Sequence, residues 1–265
     1  MTIYACDTLV DEVWREFQEK VKDDDDAADA IYQSLIESDS SSCGCPFSHI
    51  NRDKGARFYS CHTCKKDFWL TSGSVLSGVV RLRAWLAAIF FKDHGVAISA
   101  ARLSRLVGVA SSTALNIHKK IALVVCEQMA EAESVSAGWF SRVIFKRSRQ
   151  TPADCHPRSE LDEIQNSLCE PQLHSISSAV EEYAAASAKV KLAVSQFIGL
   201  IGYEFHGISK KCLQLYLASF WCTFDRGYWT PGSLLSSCLR HGPISYEQIL
   251  NFVTPARVLI MLPVP

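Results

Sequence analysis

The side chains in this sequence best suited to chemistry are five soft metal ligands, Cys43, Cys45, His49, Cys61 and Cys64. Cys61-His62-Thr63-Cys64 sets two thiolates at the spacing of a tight turn, so both sulfurs can face one tetrahedral ion. The upstream residues must supply the other half. Two such knuckles, each at a hairpin tip and clamping one Zn²⁺, make a zinc ribbon. Cys45-Pro46 is a good knuckle opening, but the position three further on is Ser48, whose hydroxyl is a poor zinc ligand. His49 is the leading replacement, through an imidazole nitrogen. Cys43 is its competitor, through a tight Cys-x-Cys bite. The expected metal site is therefore Cys45, His49, Cys61 and Cys64, with Zn²⁺ as the cofactor.

A second pattern follows. Leu103-Ser-Arg-Leu-Val-Gly108-Val-Ala-Ser-Ser-Thr113-Ala114 reads as helix, glycine turn, helix. Glycine suits the sharp turn because positive φ costs it little. Leu103, Leu106, Val109 and Leu115 would fill the angle between the helices. Ser111, Ser112, Thr113, Asn116, Lys119 and Lys120 would project from the second helix. Asn pairs bidentately with adenine, Ser and Thr reach bases or phosphates, and Lys suits phosphates. The expected partner is double-stranded DNA. A helical hairpin with a solvated polar face is the plainer reading.

Charge supports the first reading once it is split along the chain. The formal net charge is −1, but residues 1–49 hold 12 acidic and 3 basic side chains, and residues 50–120 hold 3 acidic and 12 basic ones. A basic module of +9 suits a phosphate backbone, although two oppositely charged faces of one protein would also attract each other. The 265 residues, 48% hydrophobic, are enough for more than one core. An odd cysteine count of 11 argues against a disulfide scaffold. No signal peptide is evident, and no apolar run approaches the ~18 residues of a membrane span. These features suggest a cytoplasmic, nucleoid-associated protein with no membrane partner and a possible homo-oligomeric state. Cys126, Cys169, Cys212, Cys222 and Cys238 are then small core residues.

These chemical groups need elements to hold them. Helical spacing of Leu9, Val13, Trp14, Phe17 and Val21, then of Ala27, Ala30, Ile31 and Leu35, predicts two helices over 8–37, the second capped by the Lys22–Asp26 run. Arg57–Cys61 reads as a strand, Thr71–Ser74 as a turn and Leu82–Phe91 as a buried helix. Ser99 should cap a helix through Val107, and Ala110 or Ser111 should open one reaching about Met129. Residues 138–171 read as irregular with a short helix near Glu160–Leu168. Further helices are expected over Val180–Leu200, Lys210–Phe224 and Ser245–Val253. The fold class is thus mainly α with a small β zinc ribbon (α+β). It divides into an acidic helical region (1–42), the ribbon (43–79), a helix-turn-helix unit (80–130) and a mostly helical, degenerate C-terminal region (131–265).

The run Cys61-His-Thr-Cys-Lys-Lys-Asp-Phe-Trp-Leu-Thr-Ser-Gly-Ser-Val75, followed by Leu82-Arg-Ala-Trp-Leu-Ala-Ala-Ile-Phe90, resembles bacterial insertion-sequence transposases. The likeness is to the group with an N-terminal zinc ribbon, a helix-turn-helix and a DDE-type, RNase H-like catalytic domain. Ile98–Val109, Phe17–Leu35 and His206–Leu217 resemble further segments of that family. The resemblance implies DNA binding, zinc and a carboxylate triad holding two divalent cations. The triad is where this chain departs. Ala137–Arg147, matching the family's first catalytic strand, has no carboxylate, and neither has Lys189–Phe197, matching the helix of the last one. Ser219 and Asp225 replace the family's Glu and Asn. The expectation is therefore a non-catalytic, zinc-dependent DNA-binding protein of transposase descent. An active transposase using Asp154, Glu160, Asp162 and Glu163 is the alternative, and a zinc-ribbon module that docks a protein is another. Arg142–Arg149, with four basic residues beside Phe145, reads as either a phosphate-tracking arm or a charged edge strand.

Overall fold

The computed structural model describes residues 7–37, 41, 43–144, 179–205 and 207–262. It is mainly helical, with two small antiparallel sheets. Helices α1 (Asp7–Lys20) and α2 (Asp24–Glu37) open the chain. The acidic run between them is a cap: the Asp23 carboxylate accepts from the N–H groups of Asp25 and Asp26, and that of Asp26 accepts from Lys22 N–H. Val13 and Phe17 on α1 and Ala27, Ile31 and Leu35 on α2 are buried as their spacing predicts, but Val10 and Ala28 fill out the buried faces, while Leu9 is exposed and Trp14 and Ala30 are half-buried.

Strands β1 (Ile50–Asn51), β2 (Phe58–Cys61) and β3 (Lys66–Trp69) form a three-stranded sheet in that order. Alternation divides its aromatics. Tyr59 pairs with Phe68 toward the core, whereas Phe58 pairs with Trp69 on the outer face. The expected turn follows, with Ser74 closing back on Thr71. Helices α3 (Leu82–Asp93), α4 (Ala100–Val107) and α5 (Ser111–Cys126) then pack on one another. α3 is buried nearly all round, as its Leu-Ala-Trp-Leu-Ala-Ala-Ile content requires. One core joins α1, α2, the sheet's inner face and α3–α5, so it crosses the segment boundaries at 42 and 79.

The C-terminal region departs from its expected outline. The helix expected over Val180–Leu200 is broken into α6 (Ala179–Ala185) and α7 (Ala188–Leu200), bent by 120°. The Ser187 hydroxyl accepts from Val190 N–H and so starts a new helix instead of continuing the old one. α7 runs on into a wider turn over Ile201–Phe205. The helix expected from Lys210 begins as a single 3₁₀ turn and becomes α8 at Leu213–Phe224. Helices α9 (Ser233–Arg240) and α10 (Tyr246–Asn251) follow, the latter with a full capping box between Ser245 and Gln248. Two strands were not foreseen: β4 (Glu133–Ser136) pairs with β5 (Arg257–Ile260). Their inward residues, Val135, Val258 and Ile260, build a second core with Phe140, Phe197 and Phe220. α8 is the wall between the cores, giving Leu213, Leu217 and Phe220 to the second and Ala218, Trp221 and Cys222 to the first.

Ala137–Val143 is a 3₁₀ segment, not the strand that the transposase resemblance implies. Phe145–Arg149, the helix expected near 160–168, the acidic residues Asp154, Glu160, Asp162 and Glu163, and Cys169 lie outside the described residues. Among the described residues no single helix is long and apolar enough to cross a membrane.

Candidate metal centre and candidate DNA-facing helix pair

The sulfurs of Cys43, Cys45, Cys61 and Cys64 all lie within 4.8 Å of one another. Four thiolates bound to one zinc at about 2.3 Å would sit about 3.8 Å apart, so this spacing fits a single tetrahedral ion. The set fits a metal chemically as well. Its donors are all soft, it leaves no position open for a substrate, and that is the pattern of a structural site. Cys61 and Cys64 come from the β2–β3 hairpin turn, where Lys65 takes a left-handed φ of 56° and its N–H bonds Cys61 O. Cys64 N–H also points at Cys61 Sγ, 3.4 Å away. N–H groups donated by Cys64 and Thr63 pull the Cys61 thiol down to about 7. Cys45, 3.3 Å from Cys64 Sγ, is pushed up to about 12 by its neighbouring thiols. Crowded sulfurs cannot all ionise without a cation between them.

The fourth sulfur corrects the expected ligand set. Cys43, not His49, completes the cluster. Gly44 has φ 73°, and this left-handed turn folds the Cys-Gly-Cys bite so that both sulfurs face inward. The turn is tied by Gly44 N–H to Ser41 O and by Ser41 Oγ to Cys45 O. His49 lies on an exposed 3₁₀ turn, and its Nδ1 is 2.8 Å from Thr63 Oγ1. It braces the Cys61–Cys64 knuckle from outside. The glycine between two cysteines is the sequence signal that could have identified Cys43.

Further along the chain, α4 and α5 meet at Gly108, whose φ of 68° ends α4 with its N–H on Ser104 O. The turn is locked by Ser104 Oγ donating to Val109 O and Ser111 Oγ to Ser104 Oγ. Ser99 caps α4 as expected. Leu103 and Ala114 are fully buried in the angle, with Leu106 and Val109 against them. Leu115 is not part of that packing; it is 37% exposed and lines a cleft against α8. Of the six side chains expected to face DNA, Ser111, Ser112 and Thr113 are exposed, and Asn116 and Lys120 are half-buried. Helical geometry puts Thr113, Asn116 and Lys120 on one face. Lys119 is on another, lining the α8 cleft. Burial pulls the Lys120 ammonium below its usual range.

Much of the basic excess is neutralised inside the chain. Arg52 pairs with Asp29 at 2.7 Å, Arg102 with Asp7 at 2.8 Å and Arg57 with Asp24 at 3.7 Å. Arg83 donates to Val21 O and lies over the Trp14 ring. The acidic helices thus dock on the basic module, the plainer of the two readings of that asymmetry. Lys54, Lys65, Lys66, Arg81 and Arg105 stay exposed. No family model, curated protein or solved structure matches this chain.

Proposed function

We propose that this chain is a zinc-binding, duplex-DNA-binding protein of transposase descent that does not cut or join strands. The observation carrying this reading is the exposed N-terminal turn of α5. Ser111, Ser112 and Thr113 stand exposed there, while α3 and α4 brace the helix from behind. That is the arrangement in which a second helix enters the major groove by its N-terminal end. Thr113 and Asn116 are the base readers, and the helix N-terminus itself favours phosphate. Lys120, Arg105, Lys65 and Lys66 supply phosphate contacts. Zn²⁺ fits the four-sulfur set and would hold the small sheet together, since so few residues have little core of their own. Catalysis is left out of the reading because Arg142, Lys189 and Lys191 stand where the resemblance asks for carboxylates. Cations there would repel a divalent pair.

The experiment is binding of the full zinc-loaded chain to a duplex library, with bound sequences recovered and affinity followed against salt. The expected log–log slope is shallower than twelve phosphate contacts would give, because internal ion pairs hold several arginines; each contact adds about 0.9. Asn116→Ala should flatten sequence preference, and Arg105→Ala should weaken all sequences alike. A second reading rests on a different observation. Phe58, Trp69 and Val80 are 49%, 63% and 70% exposed, an apolar surface suited to docking a protein. Zinc-loaded protein indifferent to DNA at low salt would favour it.

A further inference from the structure

A half-open cleft of about 350 Å³ lies between α5 and α8, at the seam where the two cores meet. Its size is at the lower end for small-molecule sites, about 300–1,000 Å³, and such sites favour seams of this kind. Most of the wall is apolar, with Ile98, Leu115, Ala122, Phe205 and Leu215 among its residues. Among the described residues its polar side chains are His118, Lys119, Ser209, Cys212, Ser219 and Tyr216, with no Asp or Glu.

Behind Ser219 sits Lys92, 4% exposed, in a small void that shares Ile98, Phe205, Tyr216 and Ser219 with the cleft. Its ammonium donates to Ser219 Oγ and has no carboxylate beside it among the described residues. Adjacent Asp93 turns away, accepting from Gly232 N–H. Asp225 is occupied by Trp221 Nε1 and by the N–H groups of Gly227 and Tyr228. His118 Nε2 is buried and has no hydrogen-bond partner. Burial pushes His118 down to about 3, with Lys92 adding to the effect, and burial also lowers Lys92. A buried ring nitrogen with no partner, and a buried amine with only a hydroxyl beside it, leave hydrogen-bonding capacity unmet unless a group in the cleft supplies it.

We infer that this cleft is a binding site for a small apolar monocarboxylate. The carboxylate sits at Ser219, facing Lys92 and His118, and the apolar body lies between Ile98, Leu115 and Tyr216. The assignment is independent of the DNA-binding reading.

The test uses the full chain and three probes, hexanoate, benzoate and 2-naphthoate, each compared with its neutral amide by calorimetry. At least one carboxylate should bind tenfold or more tighter than its amide. Lys92→Met should erase that preference, bringing each acid to the affinity of its amide. Leu115→Trp, which fills the mouth from a partly exposed position, should weaken carboxylate and amide alike. Ser219→Ala should reduce the preference severalfold, and it carries the same test if the Lys92 variant does not fold. No binding by any carboxylate at millimolar concentration would overturn the assignment. So would amides binding as tightly as acids, or a preference that survives both Lys92→Met and Ser219→Ala.

Discussion

Cys43 reaches the sulfur cluster because Gly44 can take a φ closed to most side chains, and this local freedom decides which residue completes the site. Removing a direct ligand should cost more than removing an outer brace, for which 10–100-fold losses are usual. Cys43→Ser is therefore expected to weaken metal binding by roughly 100-fold or more, whereas His49→Ala should retain a full equivalent. Competition with a chromogenic chelator measures both. An unchanged Cys43→Ser affinity would return the fourth position to His49. Asp93 should make the stability depend on pH. Burial lifts its carboxyl to about 6, against the opposing pull of Gly232 N–H and Arg226. A carboxyl raised in the folded state leaves stability intact below its unfolded value near 3.8, and stability falls as pH rises through about 6. Asp93→Asn should thus stabilise the protein by about 1–2 kcal/mol at pH 8 and by little at pH 4.5. Denaturant unfolding at the two pH values checks this, and equal gains at both would refute it.

At the scale of elements, the α4–α5 angle depends on Gly108. A Cβ there would meet nothing within 4 Å, so the cost of a side chain is one of backbone conformation alone. Gly108→Ala should destabilise by about 1 kcal/mol and Gly108→Val by more, shifting the urea midpoint without changing the slope. A neutral valine variant would mean that this turn adjusts freely. The same kind of local chemistry broke the helix expected over Val180–Leu200. Ser187 lies inside that expected span, but its hydroxyl caps the helix that follows. Strands β4 and β5 were not legible because four residues give too short a period-two pattern to stand out. Arg257-Val-Leu-Ile does alternate, and only its pairing with Glu133–Ser136 reveals this as a strand.

For the whole molecule, the joint between cores matters most, and Gln214 is its clasp. From buried α8, its amide oxygen accepts from Leu259 N–H at 2.7 Å, and its amide nitrogen donates to Leu259 O at 3.1 Å. These are the groups of β5 that face away from β4, so a side chain stands in for a third strand. Gln214→Leu should cost about 1–3 kcal/mol and abolish slow hydrogen exchange at Leu259 N–H. Retained protection there would show that the edge is covered in another way. Metal removal should act through the other core. Tyr59 and Phe68 belong to the large cluster of α1–α5, so chelation is expected to loosen that cluster while Phe140, Phe197 and Phe220 keep their packing. Site-resolved hydrogen exchange with and without chelator distinguishes the two cores.

The sequence alone determined what depends on neighbours along the chain. It specified the two N-terminal helices, a cap within the Lys22–Asp26 run, the Cys61–Cys64 knuckle, the Ser99 cap and the glycine turn at 108, because capping, turn and amphipathic signals act over a few residues. It also specified that a metal-binding group would include Cys45, Cys61 and Cys64. Tertiary structure decided everything that needed two distant segments to meet. It chose Cys43 over His49, set four acidic residues of α1 and α2 against Arg52, Arg57, Arg83 and Arg102, and turned Lys119 toward α8. It buried Lys92 beside Ser219, more than a hundred positions away in the chain. Charges counted along a sequence say how much attraction is available; only the packed chain says which partner receives it.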